Sequence, residues 1–122
     1  MAYLKREEKK ESRSFRRLQP DMRIVLGKGK IEHLQAVAQS KADGKFYAYK
    51  AGDENVGIIA SLYTGEDMEV TATNHVGRIS TQVIVAQDDI KGINWAEDKT
   101  ALSQLKLAGV IFAPLIVGTK EA

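Results

Sequence analysis

SKADGKFYAYKAGDENVGIIASLYTGEDMEVTATNHVGRISTQVIVA, residues 40–86, decides how the rest of the chain is read. Short apolar runs alternate with Gly/Asp/Asn clusters throughout it. Asp43-Gly44 is a strong hairpin signal, because Gly accepts the positive φ that a tight turn needs. KFYAYK alternates aromatic with small residues, and residues 52–55 (GDEN) form a second turn signal. VGIIASLYT predicts a strand with Val56, Ile58, Ala60 and Leu62 on one face. Residues 65–67 turn again, and MEVTATN sets Met68, Val70 and Ala72 against Glu69, Thr71 and Thr73. NHVGR reads as a loop, and RISTQVIVA as a strand carrying Ile79, Thr81, Val83 and Val85 on one side. Strands this short, joined by turns, predict an antiparallel, meander-like β body.

Toward the C-terminus the period changes. In NWAEDKTALSQLKLAG, residues 94–109, Asn94 stands three residues before Glu97 in a capping-box arrangement. Ala101, Leu102, Leu105 and Ala108 recur at helical spacing, and Gly109 fits the position just past a helix end. GVIFAPLIVG follows as a last strand. Pro114 has no N–H to give a ladder, so this strand lies at an edge or ends early. Toward the N-terminus, RIVLGKGKIEHLQAVAQSK is β-rich and broken by Gly27 and Gly29. Residues 1–22 (MAYLKREEKKESRSFRRLQPDM) are mostly charged, and their few apolar residues follow no sustained period. Burial there is too small to offset the ordering entropy, which predicts a basic arm that is mobile when alone. A short solvated helix through KREEKKESRSFRR is the competing reading. The expected organisation is therefore an arm over residues 1–22 and one β-rich domain over 23–122. The fold class is mainly β and antiparallel, with one short C-terminal helix.

The totals fit one domain. The chain has 122 residues, and 43% of them are hydrophobic, enough for most of it to fold. It has no cysteine, which excludes disulfides and thiolate chemistry. The longest apolar stretch, LAGVIFAPLIV, falls short of the roughly 20 residues a spanning helix needs, and no signal-peptide core opens the chain. The expectation is a protein without a membrane partner, made in a cytoplasm. Residues 1–23 hold eight Lys/Arg and four Asp/Glu, net +4, while residues 24–122 hold ten and twelve, net −2. A basic arm on a slightly acidic body points to a partner for the arm.

No chemistry-bearing motif emerges. Asp53-Glu54, Glu66-Asp67 and Asp88-Asp89 fall at predicted turns, whereas catalytic carboxylates need burial to separate their pKa values. His33 and His75 stand without a metal-ligand frame, and no G-x-S-x-G elbow occurs. LGKGK lacks the spacing of a phosphate loop and reads as a turn. No catalytic, cofactor-binding or metal-binding residue is assigned, and the chain reads as a non-enzyme. The alternative class is a small nucleic-acid-binding β-barrel that uses the basic arm, with Tyr47 and Tyr49 as stacking platforms. The four acids in residues 1–23 and the net negative body argue against direct DNA binding.

The order of strands and turns in QAVAQSKADGKFYAYKAGDENVGIIASLYTGEDMEVTATNHVGRI resembles the head decoration (capsid cementing) proteins of lambda-like tailed phages. KTALSQLKLAGVIFAPLIV is similar to that family's closing helix, alanine-glycine turn and short apolar strand. The resemblance covers residues 34–117. It implies a β-clip-type body with little helix and no catalytic activity. It implies a homotrimer placed at three-fold and quasi-three-fold positions on the outside of the expanded bacteriophage head. The partner would be the major capsid protein, and the location the virion, after synthesis in the host bacterial cytoplasm. The family's arm orders on the capsid and adds a strand to it. This arm departs from the family's Ser/Thr/Pro/Ala/Gly-rich type by being strongly charged, so the resemblance assigns no residue in 1–22. Read from the residues, the capsid-binding anchors are Phe15, Leu18, Met22, Ile24 and Leu26, with Arg16, Arg17 and Arg23 pairing to capsid carboxylates.

Overall fold

Short strands leave half their backbone polar groups to be paired by neighbours, and three small sheets do this in a computed structural model that describes residues 15–53 and 58–113. The elements are β1 (Arg16–Arg17), β2 (Met22–Leu26), β3 (Gly29–Ile31), β4 (Ala36–Gln39), β5 (Phe46–Ala48), β6 (Ser61–Leu62), β7 (Met68–Val70), β8 (His75–Ile79) and β9 (Val83–Val85). A 3-10 turn (Gln87–Asp89), the helix α1 (Ala101–Leu107) and β10 (Val110–Phe112) complete them. The sheets run β6-β4-β5-β2-β8, β1-β9-β10 and β3-β7. The protein is mainly β with one short helix near the C-terminus.

Two pairings depart from the antiparallel expectation. β10 runs parallel to β9, with Ile111 opposite Ile84, and β2 meets β5 parallel at Leu26 and Phe46. Parallel neighbours need a crossover, and α1 supplies it between β9 and β10. β10 lies at a sheet edge, as the proline-bearing segment predicts; Pro114 itself is outside the described residues.

The Asp43-Gly44 turn joins β4 to β5 as predicted. Gly44 takes φ +76°, Ser40 N–H donates to Lys45 O at 2.8 Å, and Asp43 Oδ1 accepts from Lys45 N at 2.9 Å. β4 runs through the middle of the molecule. Ala36 and Ala38 face the larger core, with Leu62, Val83, Val85, Leu105 and Val110, while Val37 faces a smaller one with Leu26, Ile31, Tyr63, Val70 and Ile79. A strand covered on both faces reads as a continuous apolar run, not an alternation.

Four local predictions need correction. The helix begins at Ala101, not after Asn94. Asn94 closes its own turn instead, its Oδ1 accepting from Ala96 N at 3.2 Å and its carbonyl from Asp98 N at 2.8 Å. NHVGR is not a loop but the body of β8, where Gly77 lies so close to Leu26 that a Cβ would fall 2.4 Å from Leu26 Cδ1. RISTQVIVA is two strands in different sheets, split at residues 80–82, so Ile79 and Val83 serve different cores. Ile58 is exposed while Ile59 is buried, because the chain joins β4 only at Ser61–Leu62 and Gln104 Oε1 holds Ile59 N–H at 2.7 Å. Val56 lies outside the described residues.

Candidate functional site

The predicted arm boundary at residue 22 falls inside the folded part. Arg16 and Arg17 form an antiparallel pair with Ile84 and Val83, and Leu18 N–H donates to Gln82 O at 2.8 Å. Thr81 Oγ1 donates to Pro20 O at 2.9 Å. Residues 15–21 are thus a strap laid across the edge of the three-stranded sheet, and residues 1–14 lie outside the described part.

A polar latch holds the strap down. Asp21 Oδ2 accepts from Arg17 Nε and from Thr64 Oγ1, each at 2.9 Å. The Arg17 guanidinium lies 4.9 Å from the centre of the Phe15 ring, a cation–π contact. Phe15 meets His33 edge-on, centroids 5.4 Å apart at 89°, and packs on the larger core. His33 is buried; its backbone N–H donates to Asp67 Oδ1 at 2.8 Å, and its Nδ1 lies 3.0 Å from Gly65 O. A carbonyl only accepts, so Nδ1 carries the proton in this arrangement. Among the described residues that leaves Nε2 without a partner, and Asp21 Oδ1 is likewise buried and unpaired there. Next to His33, Leu34 holds a left-handed φ of +65°. Its N–H donates to Tyr63 O at 2.8 Å and its carbonyl accepts from Lys91 N at 3.0 Å, which keeps a bulky residue where it is otherwise disfavoured.

The predicted anchors separate. Arg16, Arg17, Leu18, Met22 and Arg23 are exposed; Phe15 and Ile24 are half-buried. Leu26 is 1% exposed and packs in the smaller core, so in this fold it offers a partner no surface. On the outer face of β2 and β8, Arg23 stands directly opposite Arg78 and Val25 opposite Val76. Like charges facing across a ladder destabilise it by a fraction of a kcal/mol, a cost that an anionic partner relieves. Sequence reasoning missed His33, Asp21, Thr64 and Thr81, all of which act on the strap. Apart from Arg17, which stands four residues before Asp21, their partners lie so far along the chain that no local pattern marks them.

The acidic turns are structural where they are described. Asp67 accepts from His33, and Glu66 O accepts from Tyr63 Oη at 2.7 Å. Burial, followed by the hydrogen bond to Asp98, pushes the Tyr49 phenol up to about 12. Burial also raises Tyr63, and the hydrogen bond from Tyr47 Oη holds the Asp43 carboxyl below its ordinary range. These groups move away from neutrality, the opposite of what proton transfer near pH 7 asks of an acid or base. Among the described residues no group of His, Asp or Glu is gathered to hold a metal ion. No family model, curated protein or solved structure matches this chain.

Proposed function

We propose that this chain is a structural, non-catalytic virion protein: a trimeric decoration protein that binds the outside of the expanded phage capsid at three-fold and quasi-three-fold positions. There it stabilises the head against the pressure of packaged DNA. The observation that carries the reading is the strap. It joins residues 1–14 to the body at the edge of a sheet, and Arg16, Leu18, Met22 and Arg23 are exposed along this part of the chain. A chain leaving a sheet edge is placed to pair with strands of a neighbouring protein, where backbone bonds give affinity and alternate side chains give selectivity. Ordering one arm costs entropy, so one alone binds weakly. Three arms on a trimer raise avidity by about 10²–10⁴. Ile58, Val76, Leu107 and Ile111 remain exposed on one chain, and contacts between protomers would cover such residues. The order of strands and turns shared with lambda-like decoration proteins supports the same reading.

Co-sedimentation tests it. The protein should pellet with expanded empty heads and stay in solution with unexpanded shells or free duplex DNA. Indifference to expanded heads, or DNA binding with a steep salt dependence, would place the protein in another class.

A further inference from the structure

The Asp43-Gly44 turn that joins β4 to β5 carries a covalent liability. In an Asp-Gly pair the glycine nitrogen can attack the aspartyl side-chain carbon, because glycine has no Cβ to crowd the approach. The bond from Gly44 N to Asp43 Cγ forms and a Cγ–O bond breaks. The oxygen leaves as water, carrying the carboxyl proton and the amide proton. Water then reopens the cyclic succinimide. Attack at Cγ restores aspartate, and attack at the main-chain carbon leaves isoaspartate, with the backbone routed through Cγ. Water is the only co-reactant. Asp43 and Gly44 are exposed, and Asp43 borders an open concavity of about 450 Å³, so solvent reaches the turn.

Both reacting groups are held apart from this path. Gly44 N–H donates to Ser40 O at 2.9 Å, and Gly44 O accepts from Gln39 Nε2 at 2.9 Å. The Asp43 carboxylate accepts twice, from Lys45 N at 2.9 Å on Oδ1 and from Tyr47 Oη at 2.6 Å on Oδ2. Only a protonated carboxyl loses its oxygen as water, and bonds donated to the ionised form keep the proton off. The Tyr47 bond contributes most to holding this carboxyl below its ordinary range. The Tyr47 ring is seated in turn by a glycine on another segment. A Cβ on Gly27 would fall 2.1 Å from ring atoms, so the ring occupies space that only glycine leaves free.

We propose that Asp43-Gly44 is a site of backbone isomerisation in this chain, and that Tyr47, seated on Gly27, is the positioning residue that restrains it by tying the Asp43 carboxylate away from Gly44 N. The Tyr47 bond is the one a substitution can remove while leaving the backbone of the turn in place. Isoaspartate at position 43 would add a carbon to the backbone inside the turn. That would pull Lys45 out of line with Ser40, whose N–H donates to Lys45 O at 2.8 Å, and so loosen the β4–β5 hairpin. The inference does not depend on whether the protein decorates a capsid.

The test ages the full chain at neutral pH beside a blocked peptide of residues 38–50. Isoaspartate at residue 43 is followed by enzymatic methylation of the isoaspartyl carboxylate and by fragmentation mass spectrometry. The free peptide should isomerise about 10-fold or more faster than the folded chain, and Tyr47→Phe, which keeps the ring, about 5-fold or more faster than the parent, the order expected for losing one exposed hydrogen bond. Gly27→Ala, which displaces the ring without touching the turn, should accelerate the reaction likewise. As pH rises, the parent's rate should begin to fall at a lower pH than that of Tyr47→Phe, a shift that general loosening would not give. Asp21→Ala loosens the strap instead and should leave Asp43 at the parent's rate. The proposal is overturned if peptide and folded chain age alike, if Tyr47→Phe or Gly27→Ala ages at the parent's rate, or if the pH profile does not move. It is also overturned if Asp21→Ala accelerates Asp43 as much as Tyr47→Phe does.

Discussion

β1 and β3 are both short, basic strands at sheet edges, and the molecule treats them in opposite ways. β1 carries Arg16-Arg17 within a strap that is clasped to the body: Thr64, Thr81 and Gln82, from other segments, bond Asp21, Pro20 and Leu18 of the strap. β3 carries Lys30 beside Lys28, and neither ammonium group meets a hydrogen-bond or ion-pair partner among the described residues. The difference does not lie in their exposed basic residues, since Arg16, Arg17 and Lys30 all face solvent and only Ile31 of β3 turns into a core. It lies in whether distant polar side chains converge on them.

The largest effect should come from cutting the closed edge at its support. Gly109 ends α1 with φ +95°, and a Cβ there would fall 2.2 Å from Thr81 O, on the segment that anchors the strap. Gly109→Ala should cost about 3 kcal/mol or more, combining left-handed strain with a backbone clash. A denaturant midpoint that does not move would remove Gly109 from the account.

Next comes the latch itself. Asp21→Ala removes the acceptor for Arg17 and Thr64 and should cost about 1–3 kcal/mol. The same change should expose Arg16 and Arg17 to trypsin far sooner than in the parent protein. Equal cleavage rates would mean that Asp21 does not hold the strap.

A smaller effect tests the larger core, on which Phe15 of the strap packs. The Tyr49 pKa is raised from 10 to about 12 in the folded chain. A raised pKa contributes stability that is fully present below pH 10 and is lost as pH climbs through about 12. Unfolding free energy should therefore fall over that window, and Tyr49→Phe should flatten the fall while costing about 1–2 kcal/mol at neutral pH. A variant with the parent's alkaline slope would assign the slope to other groups.

The smallest effect belongs to the lysines at β3. Lys28→Gln and Lys30→Gln should change stability by no more than about 0.5 kcal/mol, since neither ammonium has a partner to lose among the described residues. A larger loss would show that these lysines make contacts of their own.

Turns and fold class were legible because their signals are local. Asp43-Gly44 and Gly109 stand where positive φ is needed, and the short runs between turns could only be strands. What failed was whatever a distant residue decides. Gly77 looked like a loop glycine, but it is a strand residue made small by Leu26 packed against it. Asn94 looked like a helix cap, but its side chain is spent two residues on, at Ala96. The strap looked like solvated chain because its charges meet partners such as Thr64, 43 positions from Asp21. Of the expected anchors, alternation alone could not say that Leu26 turns inward while Arg23 stays on the surface.

The proposal to test is that residues 1–14, joined to a clasped β body, bind assembled heads. Removing residues 1–14 while keeping the strap separates the two, because every contact described for the strap involves residue 15 or later. Co-sedimentation of this truncated chain with expanded heads, beside the full chain, is the direct measurement. The account predicts that the truncated chain keeps its fold and its trimer but leaves the heads bare, while the full chain saturates them. Full occupancy by the truncated chain, or a full chain that is monomeric and ignores heads, would contradict it.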